Sequence, residues 1–428
     1  MRYDARRGVI LSREDGEGSQ EATQPRILRS FVPLRMTTIG IATLFLAPRI
    51  ALLFARQPFF DELFTRWISA RSFEGILQAL RYDSGPPLYY FIIHAIGDPP
   101  ILVIRSVSLL FSAVPLIWLL KTRRYGAAAL LSVFPPAVLF AVDARSYALC
   151  AMFAALGIFA LESEKPYAAA WLFLAAAYSH YYGALFFPLI LCGDRLQPVL
   201  GRLKPAAILI LFAPGAWLAL HQPRESMAWL SVFFHYPDTL FAKPPEWLLV
   251  IGAAVVVLAM YRLERYAAMT FIPLVLAVAL GIYFPLRFES MIAVPLVLWL
   301  AQIARREIVA LLVAVGMAIC VFGIIDHAER PVDAYRDAAM HARTLPGPVI
   351  ASGYLYLETI TLRPATAFPA EQALHPGWRA TATSGSDLPS GTFIWVGELR
   401  APELAIIEAS RRVTPLYVNK SAAIVKVN

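Results

Sequence analysis

Long apolar runs recur along this chain and decide which folds are open to it. The first, from Met36 to Ala55, is long enough to cross a bilayer, and comparable runs follow as far as Ile325. Hydrophobic residues make up 58% of the 428 residues and charged residues only 16%, so the apolar surface exceeds what one soluble core could bury. The sequence therefore predicts an all-α polytopic membrane protein.

The apolar runs predict about 11 transmembrane helices. The predicted spans are 36–55, 101–120, 125–142, 144–161, 166–180, 182–196, 205–221, 246–261, 267–284, 289–304 and 308–325. The segment GPPLYYFIIHAIG is too short to span, so it is expected to be interfacial or re-entrant. One tilted helix could replace the two short spans between Pro166 and Leu196. Two are favoured, because one would put the basic segment that follows outside.

Basic loops set the predicted orientation, since short cytosolic loops are enriched in Lys and Arg. The connectors KTRRYG, DRLQPVLGRLK, YRLERY and ARRE are all expected to lie inside. The start, MRYDARRGVILSRED, is Arg-rich and lacks an apolar signal core, so residues 1–35 are expected to form a cytosolic tail. The protein is thus predicted to be a multi-pass protein of the plasma (inner) membrane, with its C-terminus outside.

The composition changes after Ile325, and residues 326–428 contain no run that could span. Helical segments such as AYRDAAMHART and APELAIIEASRRV alternate with the β-rich pieces GPVIASG, GTFIWVGEL and SAAIVKVN. This alternation predicts a small extracytoplasmic α/β domain, in which no Gly-rich phosphate loop, metal-spaced Cys/His cluster or nucleophile elbow is found. Cys150, Cys192 and Cys320 lie in apolar runs and are expected to be buried thiols. The net charge of +8 reflects the basic loops, and no nucleic-acid partner is expected.

Adjacent carboxylates, Asp61 and Glu62, follow the first span directly. An unpaired carboxylate at the bilayer centre costs roughly 3 kcal/mol, so this pair is expected at the interface or in a wet cavity. The two could simply mark the start of the next helix, where acidic residues are favourable. The predicted topology nevertheless puts polar residues from five separate segments on the same outer side, as a site would require.

Several outer residues are candidates for binding a substrate, and each has a simpler explanation. Tyr89 and Tyr90 could belong to an aromatic belt, and His180 could be an interfacial residue. Arg145 and Arg287 could pair locally, with Asp143 and Glu289. The candidates for the donor or substrate site are Arg287, Arg145, Tyr147, Asp143, His180, Tyr181, Asp83, Tyr89 and His94.

The order of these elements resembles the GT-C superfamily of integral membrane glycosyltransferases. The acidic pair after the first span is followed by PPLYY, ARSYAL, SHYYG and LRFESMIAVP, over about residues 36 to 305. The nearest likeness is to the branch that contains protein O-mannosyltransferases and the lipid A aminoarabinose transferase. The resemblance implies a sugar donor on a polyprenyl phosphate, transfer at the outer face, and an acidic base in the first outer loop. It also implies interfacial helices in that loop, residues 56–100.

Matched to this sequence, the base is Asp61, with Glu62 in support. Two positions depart from the family: many relatives have His where this chain has Gly85, and the ARSYAL element commonly follows a Glu, whereas Asp143 stands here. These departures concern the donor contacts rather than the base.

Chemistry agrees with the resemblance, since a phosphate leaving group requires cations and the acceptor hydroxyl requires a base. Asp61 would take the proton and Arg287, with Arg145, would hold the phosphate in an inverting displacement. The acceptor could be a lipid, a glycan or a protein. No cofactor is required by this chemistry; a divalent cation held by Asp61, Glu62 and His180 is left open.

Two other classes are considered. A transporter or lipid flippase also has many spans, but transporters tend to show internal repeats, and none is found here. A membrane scaffold whose C-terminal domain binds a partner would leave the one-sided polar residues unexplained.

Overall fold

The computed structural model describes residues 3–4, 9–10, 26–83, 85–190, 204–222, 265–280, 282–373 and 388–428, with side chains from residue 37 onward. The chain divides into two compact units, Met1–Gly40 and Ile41–Asn428. In the first, β1 (Tyr3–Asp4) pairs with β2 (Val9–Ile10) in antiparallel orientation.

Helices dominate the chain up to residue 344. They are α1 (Arg26–Ala55), α2 (Phe60–Ser69), α3 (Phe73–Leu80), α4 (Leu88–His94), α5 (Ile101–Lys121), α6 (Tyr125–Val133), α7 (Pro135–Leu139), α8 (Tyr147–Glu162), α9 (Pro166–Ser179), α10 (Ala213–His221), α11 (Arg265–Ala279), α12 (Arg287–Met291), α13 (Ala293–Ile303), α14 (Arg306–Glu329) and α15 (Ala334–Thr344). Short 3-10 helices cover Phe140–Val142, Tyr181–Ile190 and Ile208–Phe212.

Several of these helices are long and apolar enough to span a membrane, so this is a helical membrane protein. In the described residues 4 runs qualify: Thr37–Ala55, Ile101–Lys121, Lys204–His221 and Arg306–Thr344, whose apolar part is α14. A fifth span results if Tyr125–Val133 and Pro135–Val142, bent by 66°, cross together.

The predicted count of about 11 is not confirmed. Four predicted spans correspond to apolar helices of 10–17 residues: Tyr147–Glu162, Tyr181–Ile190, Arg265–Ala279 and Ala293–Ile303. At a rise of 1.5 Å per residue these are shorter than the roughly 30 Å hydrocarbon core. The predicted spans 166–180 and 182–196 are observed as α9 and a 3-10 helix, and 191–196 and 246–261 lie outside the described residues.

The bend between α6 and α7 follows from its prolines. Pro135 and Pro136 have no N–H, so the carbonyl groups of Leu131 and Ser132 lose their helical donors. Arg49 on α1 supplies both, through Nη1 to Ser132 at 2.7 Å and Nη2 to Leu131 at 3.3 Å. A buried guanidinium group thus replaces the two hydrogen bonds that the broken helix cannot make.

Three short helices follow the first span, over the segments that the sequence predicts to be helical. In α2 and α3 the buried apolar residues fall on one side and form a common core, in which Leu63, Ile68, Ile76 and Leu80 are almost fully enclosed. Ser72 caps α3 by accepting a hydrogen bond from the Gly75 N–H at 3.2 Å. These contacts give the segment after the first span a fixed shape, which is what positions Asp61.

The C-terminal region forms the predicted small α/β structure. Its strands are β3 (Val349–Ala351), β4 (Thr366–Ala367), β5 (Phe393–Glu398), β6 (Val413–Val418) and β7 (Ala422–Val427), and its helices include α16 (Tyr354–Leu362) and α17 (Pro402–Ser410). The sheet order is β4-β3-β5-β7-β6. β3 is parallel to β4 and β5, while β7 is antiparallel to β5 and β6.

This small domain packs directly on α2. Leu357 of α16 is fully buried in the core that α2 and α3 share, and the rings of Tyr354 and Phe60 meet edge to face at 4.6 Å. Arg71 extends the contact by donating to the Ala373 carbonyl at 3.2 Å. The C-terminal domain therefore contacts the same helix that carries the two carboxylates.

Candidate active site

Asp61 and Glu62 are adjacent in α2 but point into different environments. Neighbouring residues of a helix are about 100° apart around its axis, so one can face the core while the other faces outward. The Asp61 side chain is 30% exposed, whereas that of Glu62 is 0% exposed. Only Asp61 is accessible to a substrate.

Glu62 is held by Arg105, which lies on α5. Arg105 Nε donates to Glu62 Oε1 at 2.8 Å and Nη2 donates to Oε2 at 2.5 Å, while the Ala144 N–H also donates to Oε1 at 3.0 Å. Arg105 further donates to the carbonyls of Arg56 at 2.7 Å and Gln57 at 3.0 Å. This buried carboxylate therefore ties the end of α1, α2, α5 and the turn before α8 together.

Asp143 belongs to the same buried region. Its carboxylate lies 3.7 Å from Arg56 Nη2, and Oδ1 has no hydrogen-bond partner in the described part of the chain. Burial raises the pKa of Asp143 to about 6; the positive charge of Arg56 opposes that shift and the negative charge of Glu62 adds to it. We call Glu62, Arg105, Arg56 and Asp143 the buried ion-pair cluster.

Asp61 faces Arg287 from α12. Arg287 Nη2 lies 3.4 Å from Asp61 Oδ2, and the two side chains are 22% and 30% exposed. The guanidinium group also lies over the Phe284 ring at 4.5 Å and near the Tyr147 ring at 5.4 Å. Arg287 is thus both oriented by aromatic faces and open to solvent.

Arg145 joins Asp61 to the rest of the segment 56–100. Its Nη1 donates to the Asp61 carbonyl at 3.4 Å and to the Tyr90 hydroxyl at 3.3 Å. Tyr90 in turn donates to Asp83 Oδ2 at 3.1 Å. Burial raises the pKa of Tyr90 well above its usual range, so this hydroxyl stays neutral. We call Asp61, Asp83, Tyr90, Arg145 and Arg287 the outer polar cluster, where outer refers to the partial exposure of Asp61 and Arg287.

Aromatic residues continue from Arg287 towards the end of α9. The rings of Tyr147 and His180 are 5.2 Å apart, and those of His180 and Tyr182 are 4.5 Å apart. The Tyr182 hydroxyl donates to the Ile282 carbonyl at 2.6 Å, close to the turn that carries Arg287. The structure therefore brings Tyr147 and His180 beside the outer polar cluster.

Other candidates lie elsewhere. The Tyr89 hydroxyl shares a buried hydrogen bond of 3.0 Å with Ser108. His94 Nδ1 lies 2.9 Å from the Ser69 carbonyl, and the Tyr181 ring packs against Phe212. These contacts hold helices together, while the Tyr89 ring lies 6.2 Å from the Tyr90 ring and the charge of Asp83 acts on Tyr181, so both tyrosines border the outer polar cluster.

The local pairs considered from the sequence are not the pairs that form. Asp143 pairs with Arg56 instead of Arg145, and Glu289 accepts a hydrogen bond from Tyr283. Arg287 reaches across the fold to Asp61. Pairing between distant segments is set by helix packing, which sequence separation does not reveal.

Sequence reasoning missed Arg105, Arg56 and the bridging role of Tyr90. A signal for Arg105 exists, because it interrupts the apolar run ILVIRSVSLL, and an ionisable residue inside such a run usually has a specific partner. No comparable signal distinguishes Tyr90 from its neighbour Tyr89.

Gly85 has a physical explanation. A Cβ atom added there would lie 3.2 Å from the Tyr90 hydroxyl and 3.4 Å from Asp83 Oδ2. A histidine at this position would need these neighbours to move, so the Tyr90–Asp83 hydrogen bond occupies the space.

A cavity lies between the helices next to Tyr147, whose ring is 5.4 Å from the Arg287 guanidinium group. Tyr147 and Ser290 line it near Arg287, and Arg49 lines it among the helices. Its other lining residues are mostly apolar. Within the described ranges, no group of three His, Cys, Asp or Glu side chains could hold a metal ion, and both Glu62 oxygens already bind Arg105.

No protein-family model, curated protein or solved structure matches this chain. The case for a function therefore depends on the geometry of the site and on the chemistry of its residues.

Proposed function

We propose that this protein is an inverting membrane glycosyltransferase that moves a hexosyl or pentosyl group from a polyprenyl-phosphate donor to an acceptor hydroxyl at the outer membrane face. The observation that carries the proposal is the outer polar cluster, in which the accessible carboxylate of Asp61 faces Arg287, and Arg145 donates to the backbone carbonyl of the same residue. A base next to cations is what transfer from a lipid phosphate requires.

The proposed reaction is a single displacement. Asp61 accepts the proton of the acceptor hydroxyl, and the acceptor oxygen forms a bond to the anomeric carbon of the sugar. The bond from that carbon to the phosphate oxygen breaks, and its electron pair leaves with the polyprenyl phosphate. Arg287 suits the departing phosphate, because its planar fork can donate two parallel hydrogen bonds.

Glu62 has a different part in the proposal. Its side chain is 0% exposed and its oxygens bind Arg105, so it orients α2 without contacting a substrate. Tyr147 and His180 border the proposed donor site through ring contacts near Arg287. Asp83 acts on the site through Tyr90 and Arg145.

Mass spectrometry of envelope glycans and lipids tests the function. Cells with the wild-type chain, without it, and with Asp61→Asn would be compared. A mass lost in both the deletion and the Asp61→Asn strain identifies the transferred sugar and the acceptor together. An envelope unchanged in the deletion strain would contradict the proposal and favour transport or a scaffold role.

The proposal requires the outer polar cluster and the C-terminal domain to face outward, with the N-terminus in the cytosol. Labelling of intact cells with a membrane-impermeant thiol reagent checks this, using Ser390→Cys and Thr122→Cys in a chain that lacks its own cysteines. Label is expected at position 390 and not at 122. The reverse pattern would place the cluster on the cytosolic side and exclude this reaction.

A further inference from the structure

Asp61 and Arg287 form an ion pair with each other, although the proposed reaction gives each of them a different partner. Asp61 must face the acceptor hydroxyl, and Arg287 must face the donor phosphate. Yet Arg287 Nη2 lies 3.4 Å from Asp61 Oδ2, so the proposed base and the proposed phosphate ligand bind each other. A phosphate that binds the edge of the guanidinium group facing Asp61 displaces the carboxylate.

We propose that this pair is a latch released by the donor: its phosphate displaces Asp61 from Arg287, so that the carboxylate is available to the acceptor only when the donor is bound. The inference rests on the proposed function, and it specifies in addition that the donor binds before the acceptor. It also gives the pair a reason to exist, since the base is held away from hydroxyl groups until a sugar can be transferred.

Exposure makes this pair suitable for exchange. The Asp61 and Arg287 side chains are 30% and 22% exposed, and pairs of this kind contribute little net free energy because water competes for both groups. The neighbouring Glu62–Arg105 pair is 0% and 4% exposed and has no such freedom, because breaking it would leave a buried charge.

The backbone beside Arg287 is strained. Leu286 has a φ of 67°, in the left-handed region that a bulky side chain rarely adopts, and it directly precedes α12. Strain of this kind is concentrated at functional sites. A turn that stores strain next to Arg287 favours a shift of this residue when its partner changes.

Aromatic contacts limit how Arg287 can move. Its guanidinium group lies over the Phe284 ring at 4.5 Å and near Tyr147 at 5.4 Å. These ring contacts do not depend on what the edge of the guanidinium group binds, so a phosphate can replace the carboxylate there while the rings stay in place.

Equilibrium binding of a short-chain polyprenyl phosphate, with the full-length protein in nanodiscs, tests the latch. Asp61→Asn removes the competitor of the phosphate, so this variant is expected to bind the probe about two- to fivefold more tightly than wild type. Arg287→Ala is expected to bind it more weakly. The double variant Asp61→Asn/Arg287→Ala should bind the probe no more tightly than Arg287→Ala alone, because the gain in affinity acts through Arg287.

Asp83→Asn is the matched control. It removes the same charge from the same cluster, and the amide oxygen can still accept the Tyr90 hydrogen bond without freeing Arg287. An equal gain in affinity in Asp83→Asn and Asp61→Asn would show a general effect of charge and overturn the latch. A gain in affinity that persists without Arg287, or no gain in Asp61→Asn, would also overturn the latch.

The same experiment separates the latch from the proposed function. A wild-type protein that binds no polyprenyl phosphate contradicts the donor class and the latch together. A wild-type protein that binds the probe, with no tightening in Asp61→Asn, supports the donor class and removes only the latch. Folding of each variant is checked by its thermal midpoint in the same nanodiscs.

Discussion

The outer polar cluster and the buried ion-pair cluster contain adjacent residues of α2, but they differ in burial and in how closely their charges are paired. Asp61 belongs to the first and Glu62 to the second. In the buried cluster, Arg105 bonds Glu62 at 2.8 and 2.5 Å with 4% of its side chain exposed. In the outer cluster the closest ion pair is 3.4 Å long and partly exposed.

This difference separates groups that hold the fold from groups that can react. Charges that are fully paired and buried cannot change partners without a large loss of stability. Charges that are partly exposed and loosely paired can exchange partners at little cost. Carboxylates of similar chemistry thus have different uses because they face different sides of one helix.

The largest expected effect concerns Asp61. Asp61→Asn removes the base while preserving the shape of the side chain, so the rate of sugar transfer should fall about 100- to 10,000-fold. The thermal midpoint should stay close to that of wild type, because Asp61 is outside the buried cluster. Transfer by the purified variant at near wild-type rate, with an intact fold, would contradict the role of Asp61.

The next effect concerns stability. Arg105→Met leaves Glu62 buried without its cation, which should cost about 3–5 kcal/mol in the free energy of unfolding. Adding Glu62→Gln should restore part of the loss, because the uncompensated charge is gone. Denaturant unfolding in detergent micelles measures both. A mild effect of Arg105→Met would mean that the two clusters do not differ as the geometry indicates.

The buried cluster should also respond to pH. Burial raises the pKa of Asp143 to about 6 from 3.8, so the folded protein binds a proton that the unfolded chain has released. This group therefore lowers stability as pH rises from about 4 to about 6, by at most about 3 kcal/mol. The carboxylates of Glu62 and Asp61 and the guanidinium groups of Arg56 and Arg145 also act on it.

Asp143→Asn should remove this dependence. The stability of the variant minus that of wild type is expected to increase as the pH rises from 4 to 6 and to stay constant above pH 6. Thermal midpoints of both proteins across this range are the measurement, and a difference that is independent of pH would show that Asp143 stays charged.

The smallest effect concerns the geometry of the outer cluster. Arg287→Lys keeps the charge but loses the planar fork, so polyprenyl phosphate should bind about tenfold more weakly with little change in the thermal midpoint. Arg66→Lys is the control, since Arg66 makes a two-pronged bond to Asp98 at 2.8 and 3.0 Å outside the cluster. Equal losses in both variants would point to a general effect of replacing arginine.

Local sequence patterns were sufficient to predict much of the fold. The apolar runs predict a helical membrane protein, and alternating helical and β-rich segments predict the C-terminal sheet, in which Trp395 of β5 is fully buried. The number of spans was not predictable in the same way. Breaks such as Pro135–Pro136 depend on whether a distant group, here Arg49, can satisfy the carbonyls that the break exposes.

Hydropathy and residue order were enough to show that the chain is a membrane protein and that ionisable residues accumulate in the segments around residues 56–100. Both conclusions follow from hydropathy, which is a property of short segments. Only the tertiary structure decided that Asp61 meets Arg287 while Glu62 is enclosed by Arg105. The physical reason is that adjacent residues on a helix face different directions, and what each one meets depends on segments that lie far away in the chain.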